Sequence, residues 1–193
     1  MEQTLEQEYR QAKRKSAKPM LWVSMVSMTM MFAGLTSAYV VSRKRIDWVS
    51  FDLPNAFYIS TLLIVLSSIT FMLAKYFIKQ NKRQITSAFL LSTLFLGVGF
   101  VFFQFEGFRE LLKSGLFFAG AQSTVKSSFI YGITIAHLVH IAAGIVVLLV
   151  VIFNHFNKKY SANDTLGLEL GAIFWHFVDI LWIYLFFFFY FIR

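Results

Sequence analysis

Ala172-Ile173-Phe174-Trp175-His176-Phe177-Val178-Asp179-Ile180-Leu181-Trp182 sits inside an apolar run from Glu169 to Ile192. A run of this length matches the roughly 20 residues that a helix needs to cross a bilayer core of about 30 Å. Its imidazole and carboxyl stand three positions apart, so they share one side of that helix. Ionisable groups within a span are costly and each calls for a partner. Trp175 and Trp182, seven apart, fall on the same face with Asp179 between them, and Phe186 to Tyr190 make an aromatic outer end.

Outward from this run the whole chain reads the same way. Of 193 residues, 58% are hydrophobic and 19% aromatic, with 24 phenylalanines, more apolar surface than a soluble domain of this size can hide. Backbone polar groups are satisfied in lipid only by helices or closed barrels. The alternating ten-residue segments of a barrel are absent. The spacing predicts an all-α polytopic bundle of five transmembrane helices, near Met20 to Ser42, Asn55 to Ile78, Ile85 to Phe105, Lys126 to Phe153 and Glu169 to Ile192. Residues 1–19 form a polar amino-terminal segment and 20–193 one membrane domain. The first apolar run is too long for a signal peptide's core and is preceded by a polar stretch, so it reads as a retained helix. The one long connection, Glu106 to Val125, carries Gly107, Gly115, Gly120 and an apolar patch, Leu116-Phe117-Phe118, suited to the membrane interface.

The charge balance, 18 basic against 10 acidic residues, gives +8, which in a soluble protein would raise nucleic-acid binding. Here the charges lie in short segments between apolar runs, which speaks for a membrane and against nucleic acid. Arg10, Lys13, Arg14, Lys15, Lys18, Lys75, Lys79, Lys82, Arg83, Lys158 and Lys159 fall on one side of the membrane. The smaller set Arg43, Lys44, Arg45, Arg109, Lys113, Lys126 and Arg193 falls on the other. The positive-inside rule then predicts a cytoplasmic amino terminus and an external or periplasmic carboxyl terminus. There are no cysteines, so no disulfide, thiolate metal site or cysteine nucleophile exists.

Four ionisable groups lie within the spans: His137 and His140 on the fourth helix, His176 and Asp179 on the fifth. If those helices are antiparallel, both pairs come near mid-membrane and meet. Three readings are open. One is a hydrogen-bonded network in which Asp179 pairs with an imidazole and sets helix register. The second is a haem or non-haem iron site, weakened by the lack of a third helix with a ligand and by too few carboxylates for a di-iron bundle. The third is a proton relay. Gln104 and Glu106 at the end of helix three, Glu169 at the start of helix five, and Trp175 and Trp182 are candidate interfacial or lipid-facing groups. Small residues predict close helix packing at Ala33, Gly34, Ser37 and Ala38, at Gly97 and Gly99, and at Ala142, Ala143 and Gly144. No nucleophile elbow, phosphate-binding loop or His-Glu-x-x-His stretch occurs, so the chain holds no self-contained hydrolytic site.

The run Trp175-His176-Phe177-Val178-Asp179 with Trp182 closely resembles the last helix of subunit III of the haem-copper respiratory oxidases, the cytochrome c oxidase subunit III family. Three further stretches resemble that family in order: Gln104-Phe105-Glu106, the His137-x-x-His140-x-x-x-Gly144 spacing within Thr134 to Gly144, and Glu169 before the tryptophan–histidine motif. The resemblance covers nearly all of Met20 to Arg193 and corresponds to the five-helix short form, beginning at the helix equivalent to the third of seven. Where the family commonly carries a buried glutamate, this chain has Met28, so a role resting on that carboxylate does not carry over. The two absent helices would leave a lipid-filled cleft missing or completed by a neighbouring subunit.

The resemblance implies a non-catalytic subunit packed on a catalytic subunit I that reduces dioxygen to water and pumps protons. It would stabilise that subunit and support its proton uptake. It implies no redox cofactor or metal in this chain, haem and copper in the partner, phospholipid as a possible ligand, and membership of a respiratory complex or larger supercomplex in a bacterial inner (plasma) membrane. The rivals are a stand-alone haem or non-haem iron protein that uses its histidines to oxidise quinol, and a proton-coupled transporter built on Asp179. The latter lacks the interrupted helices and inverted repeat of such folds.

Overall fold

Apolar runs this long close every backbone hydrogen bond within themselves, and five do so: α1 (Glu2–Ser42), α2 (Asn55–Lys79), α3 (Arg83–Lys113), α4 (Val125–Phe156) and α5 (Leu166–Phe191). Each contains a stretch long and apolar enough to cross a membrane. The computed structural model describes residues 2–45, 48, 51–120, 123–160 and 165–192, and for 2–11, 13 and 14 the backbone alone. Arg193 and the side chains of Arg10, Lys13 and Arg14 therefore lie outside the described residues. Among the described residues there is no strand, only an isolated bridge between Phe117 and Ser123.

Two helices run further than hydropathy alone predicts. α1 begins at Glu2 because the polar segment before Met20 is rich in Glu, Gln, Lys and Arg, all good helix formers. α3 does not stop at Phe105 but continues to Lys113. Its last turns are held by Glu106–Arg109 pairing at 3.0 Å and by Phe108 and Leu111, both buried against the core. The connection to α4 is correspondingly short, and Gly115 (φ 74°) and Gly120 (φ 106°) take the left-handed turns it needs. α4 opens with a capping box, in which Thr124 Oγ1 accepts from the Ser127 amide while Ser127 Oγ accepts from the Thr124 amide.

α2, α3, α4 and α5 pack as a closed antiparallel ring, and α1 lies outside it against α4 and α5. At the end that holds the start of α5, Arg83 Nη2 donates to the Tyr160 carbonyl at 3.0 Å and Lys18 pairs with Glu169 at 2.9 Å. At the opposite end Tyr39 Oη donates to the Ile192 carbonyl at 3.1 Å, Lys126 Nζ to the Phe51 carbonyl at 3.1 Å, and the Asn55 amide to Glu110 Oε2 at 2.8 Å. Among its described side chains α1 buries a narrow stripe, Met25, Phe32, Thr36 and Tyr39, with Met28 packed partly beside it. Trp22, Val23, Val26, Met30 and Val41 of the same helix face outward.

The small residues divide. Gly97 and Gly144 make the close approaches expected of them, both against Trp175. Ala33, Gly34, Ser37 and Ala38 do not: they lie on the exposed side of α1, with nothing within 4 Å of a Cβ built on Gly34. Ala142 and Ala143 are exposed too, and Gly99 is at ordinary contact distance from Leu63. Aromatic bulk on α5 decided which small residues were used.

Candidate functional site

α5 carries the site because its inner face is the most crowded in the bundle. Trp175 lies at the centre of the ring, 1% exposed, its Nε1 donating to Ser67 Oγ on α2 at 3.1 Å. A Cβ on Gly97 of α3 would stand 2.8 Å from its Cη2, and one on Gly144 of α4 3.3 Å from its Cε3. The indole thus fills a slot that two glycines open. Two turns on, Trp182 donates to Thr61 Oγ1 on α2 at 3.0 Å and meets Phe57, Phe100 and His137 at ring-centroid distances of 5.6, 5.4 and 5.3 Å. Neither indole is interfacial or lipid-facing, as their place among the candidates had it. Both are interior, because an indole whose N–H finds a hydroxyl buries its large apolar body at little polar cost.

The histidines and the aspartate are not brought together. His137 is fully buried, tilted over Trp182 and edge-on to Phe100 and Phe32, and neither ring nitrogen makes a hydrogen bond. His140 turns toward α1, where it meets Phe32 at 5.7 Å, and its Nδ1 lies 2.7 Å from the Ala136 carbonyl of its own helix. His176 turns toward α2, its Nδ1 2.6 Å from Ser68 Oγ. Asp179 is 1% exposed with the Ser68 hydroxyl beside it. Neither of its oxygens reaches a hydrogen bond of standard geometry. The expected contact of Asp179 with the α4 imidazoles is therefore not formed. Three residues advance a helix by about 300°, so members of an i, i+3 pair diverge by about 60°, enough to address different neighbours.

Gln104 also departs from its expected place. It is not at a helix end but within α3, fully buried, its Nε2 donating to Ser60 Oγ at 3.0 Å while its Oε1 is without a hydrogen bond. Glu106 is partly exposed and paired with Arg109, and Glu169 stands in the first turn of α5 facing Lys18 at 2.9 Å and Lys79 at 3.8 Å. Among the described residues no three His, Cys, Asp or Glu side chains are grouped so as to hold a metal ion.

The residues that single-helix reasoning missed are the α2 hydroxyls. Ser60 and Ser67, and Thr61 and Ser68, are each seven apart, and this doubled polar heptad is what receives Gln104, Trp175, Trp182 and His176. A stripe of hydroxyls at the same period as the α5 tryptophans was the available signal.

Such a fold and seam define a multi-pass helical membrane protein whose intramembrane polar groups join helix to helix around an aromatic centre. The family model for cytochrome c oxidase subunit III matches residues 1–193. The cytochrome c oxidase subunit 3 of Drosophila yakuba is 31% identical over 128 residues, 66% of this chain and 47% of that protein. That of Alkalihalophilus pseudofirmus is 24% identical over 155 residues, 80% of this chain and 73% of the relative. The cytochrome bo(3) ubiquinol oxidase subunit 3 of Buchnera aphidicola from Schizaphis graminum is 27% identical over 171 residues, 86% of this chain and 88% of the relative. The chain spans about half the length of the fly relatives it matches. It belongs to the cytochrome c oxidase subunit III family, and with its five apolar helices is a multi-pass protein of an energy-transducing membrane.

Proposed function

We propose that this chain is the non-catalytic subunit III of a haem-copper terminal oxidase, bound to the subunit that reduces dioxygen, which it stabilises and whose proton uptake it supports. The observation that carries this reading is the family match along the whole chain. The geometry agrees with it. The tryptophan and histidine of the α5 motif are engaged with α2, α3 and α4 in holding the bundle, and the histidines needed for a haem or iron site point to different helices. Met28 fills its place on α1 as an apolar packing residue, so proton handling through a carboxylate there has no support. Lys18, Lys75, Lys79, Lys82, Arg83, Lys158 and Lys159 crowd the end that holds the start of α5, which supports placing that end in the bacterial cytoplasm.

Haem and copper belong to the partner in this reading, and phospholipid fits the exposed apolar faces. The test is gentle detergent purification through a tag on this chain. A haem- and copper-containing oxidase is expected to come with it, and steady-state oxygen consumption by that preparation should lose durability during turnover when this chain is removed. Recovery of a haem-free monomer as the sole product would overturn the reading, as would a haem spectrum in the isolated chain.

A further inference from the structure

One imidazole of the bundle opens outward. His140 lies midway along α4, about 22 Å from the first turn of that helix, and so near the middle of a hydrocarbon core of about 30 Å. Its Nδ1 is 2.7 Å from the Ala136 carbonyl, and its ring meets Phe32 of α1 edge-on at 5.7 Å. A carbonyl only accepts, so Nδ1 carries the proton and Nε2 of the neutral ring presents a lone pair. His140 is partly exposed, and among the described residues no donor bonds to that nitrogen. His137, one turn earlier, is by contrast fully enclosed. What satisfies His140 is whatever covers the seam between α1 and α4.

The surface around this lone pair is shaped for close approach. Ser128, Gly132, Ala136 and His140 succeed one another every four residues along α4, and Ala143 continues the row; all are partly or fully exposed. Residues at this spacing form one ridge of a helix, and here the side chains flanking His140 are so small that the ridge becomes a trough. A Cβ built on Gly132 meets nothing within 4 Å. Toward the start of α4 the trough widens into a groove of about 370 Å³ between Leu35 of α1 and Ser128, Phe129, Gly132 and Ile133 of α4. The outward faces of α2 and α3 are built differently, with Leu62, Met72, Phe95 and Phe102 standing out from them. Depth selects the occupant. Acyl chains carry no donor, water is scarce at mid-membrane, and the donors of a phospholipid stay with its headgroup. A second copy docked face to face would set one Nε2 lone pair against another. A transmembrane helix with a hydroxyl, amide or indole N–H at mid-depth supplies both the donor and a ridge to fill the trough, and such helices approach closely over small residues.

We propose that the α1/α4 face receives a transmembrane helix of a partner chain, which packs along the trough from Gly132 to Ala143, a rise of about 16 Å, and donates a hydrogen bond to His140 Nε2. The docking requires only a membrane-spanning partner; that the partner is another subunit of a haem-copper oxidase rests on the functional reading above.

Cross-linking in native membranes, followed by purification through a tag on this chain, tests the docking. Photo-reactive benzoylphenylalanine placed at Gly132 or Ala143 should link to a membrane-spanning segment of another chain, identified by mass spectrometry, and the same group at Phe95 on the α3 face should not reach that segment. Gly132→Leu and Ala143→Leu add bulk at outward positions, so the purified chain should keep its helix content and unfolding midpoint while recovery of the linked partner falls at least ten-fold. His140→Leu should lower recovery roughly three- to ten-fold, as the loss of one hydrogen bond implies. His140→Gln, whose side-chain carbonyl accepts at a similar reach, should restore most of it. Links only to lipid or to a second copy of this chain, or unchanged recovery in the Gly132 and Ala143 variants, would overturn the docking. Equal recovery in His140→Leu and the unaltered chain would overturn the hydrogen bond. A linked partner helix in a preparation without haem would instead overturn the oxidase reading and leave the docking standing.

Discussion

An indole in a slot can be tested from either wall. A methyl group added at Gly97 would stand 2.8 and 2.9 Å from Trp175 Cη2 and Cζ2, and the ring cannot retreat because Ser67 holds its nitrogen and Gly144 backs its other edge. Gly97→Ala should therefore cost about 1–3 kcal/mol, read as a lowered unfolding midpoint in detergent. Trp175→Phe should relieve part of that loss, so the double variant is more stable than the summed single effects. Gly34→Ala, with nothing within 4 Å, should stay within about 0.5 kcal/mol. Hydroxyls make a second contrast. Thr61 accepts from buried Trp182 Nε1, so Thr61→Val should cost about 1–3 kcal/mol by leaving that donor unpaired. Thr134 is fully buried but its hydroxyl makes no hydrogen bond, so Thr134→Val should leave stability unchanged or raised.

Among the helices α1 is the one held least. Among the described residues it packs on α4 and α5, buries a single stripe, and is tied toward its two ends by Lys18–Glu169 and by Tyr39 Oη to the Ile192 carbonyl, with Thr36 and Tyr184 3.2 Å apart between them. Helices with few buried contacts open first. Amide exchange along α1 should precede that of α2 to α5, and most of all beyond the Lys18 end. The Lys18–Glu169 pair, 49% and 21% exposed, is screened by solvent, so Lys18→Met should cost less than about 1 kcal/mol and less again in high salt. The opposite holds for α5: its inner face is gripped by hydroxyls of α2, a glycine of α3 and a glycine and a histidine of α4.

For the whole molecule the sharpest prediction concerns sides. The chain has no cysteine, so single cysteines placed at the exposed positions Gln80 and Ser114, at opposite ends of α3, report topology without background. A membrane-impermeant thiol reagent added to intact cells should label Ser114→Cys and spare Gln80→Cys. The reverse labelling would reverse the cytoplasmic assignment of the basic end.

The number of helices, their antiparallel order and the family were legible in the chain alone, because a bilayer leaves long apolar runs one solution and because the Trp175 to Asp179 motif with Trp182 is distinctive. Helix limits were less so: hydropathy marks where lipid ends, and α1 and α3 continue past that point on helix propensity and on Phe108 and Leu111 packing. Partnership was decided only in three dimensions. Spacing put His137 with His140 and His176 with Asp179 on shared faces, yet a helix face is wide. Which neighbour each side chain meets depends on the rotation of every helix about its axis, and that rotation was settled by the bulk of Trp175 and Trp182 seeking the hydroxyls of α2 and the glycines of α3 and α4.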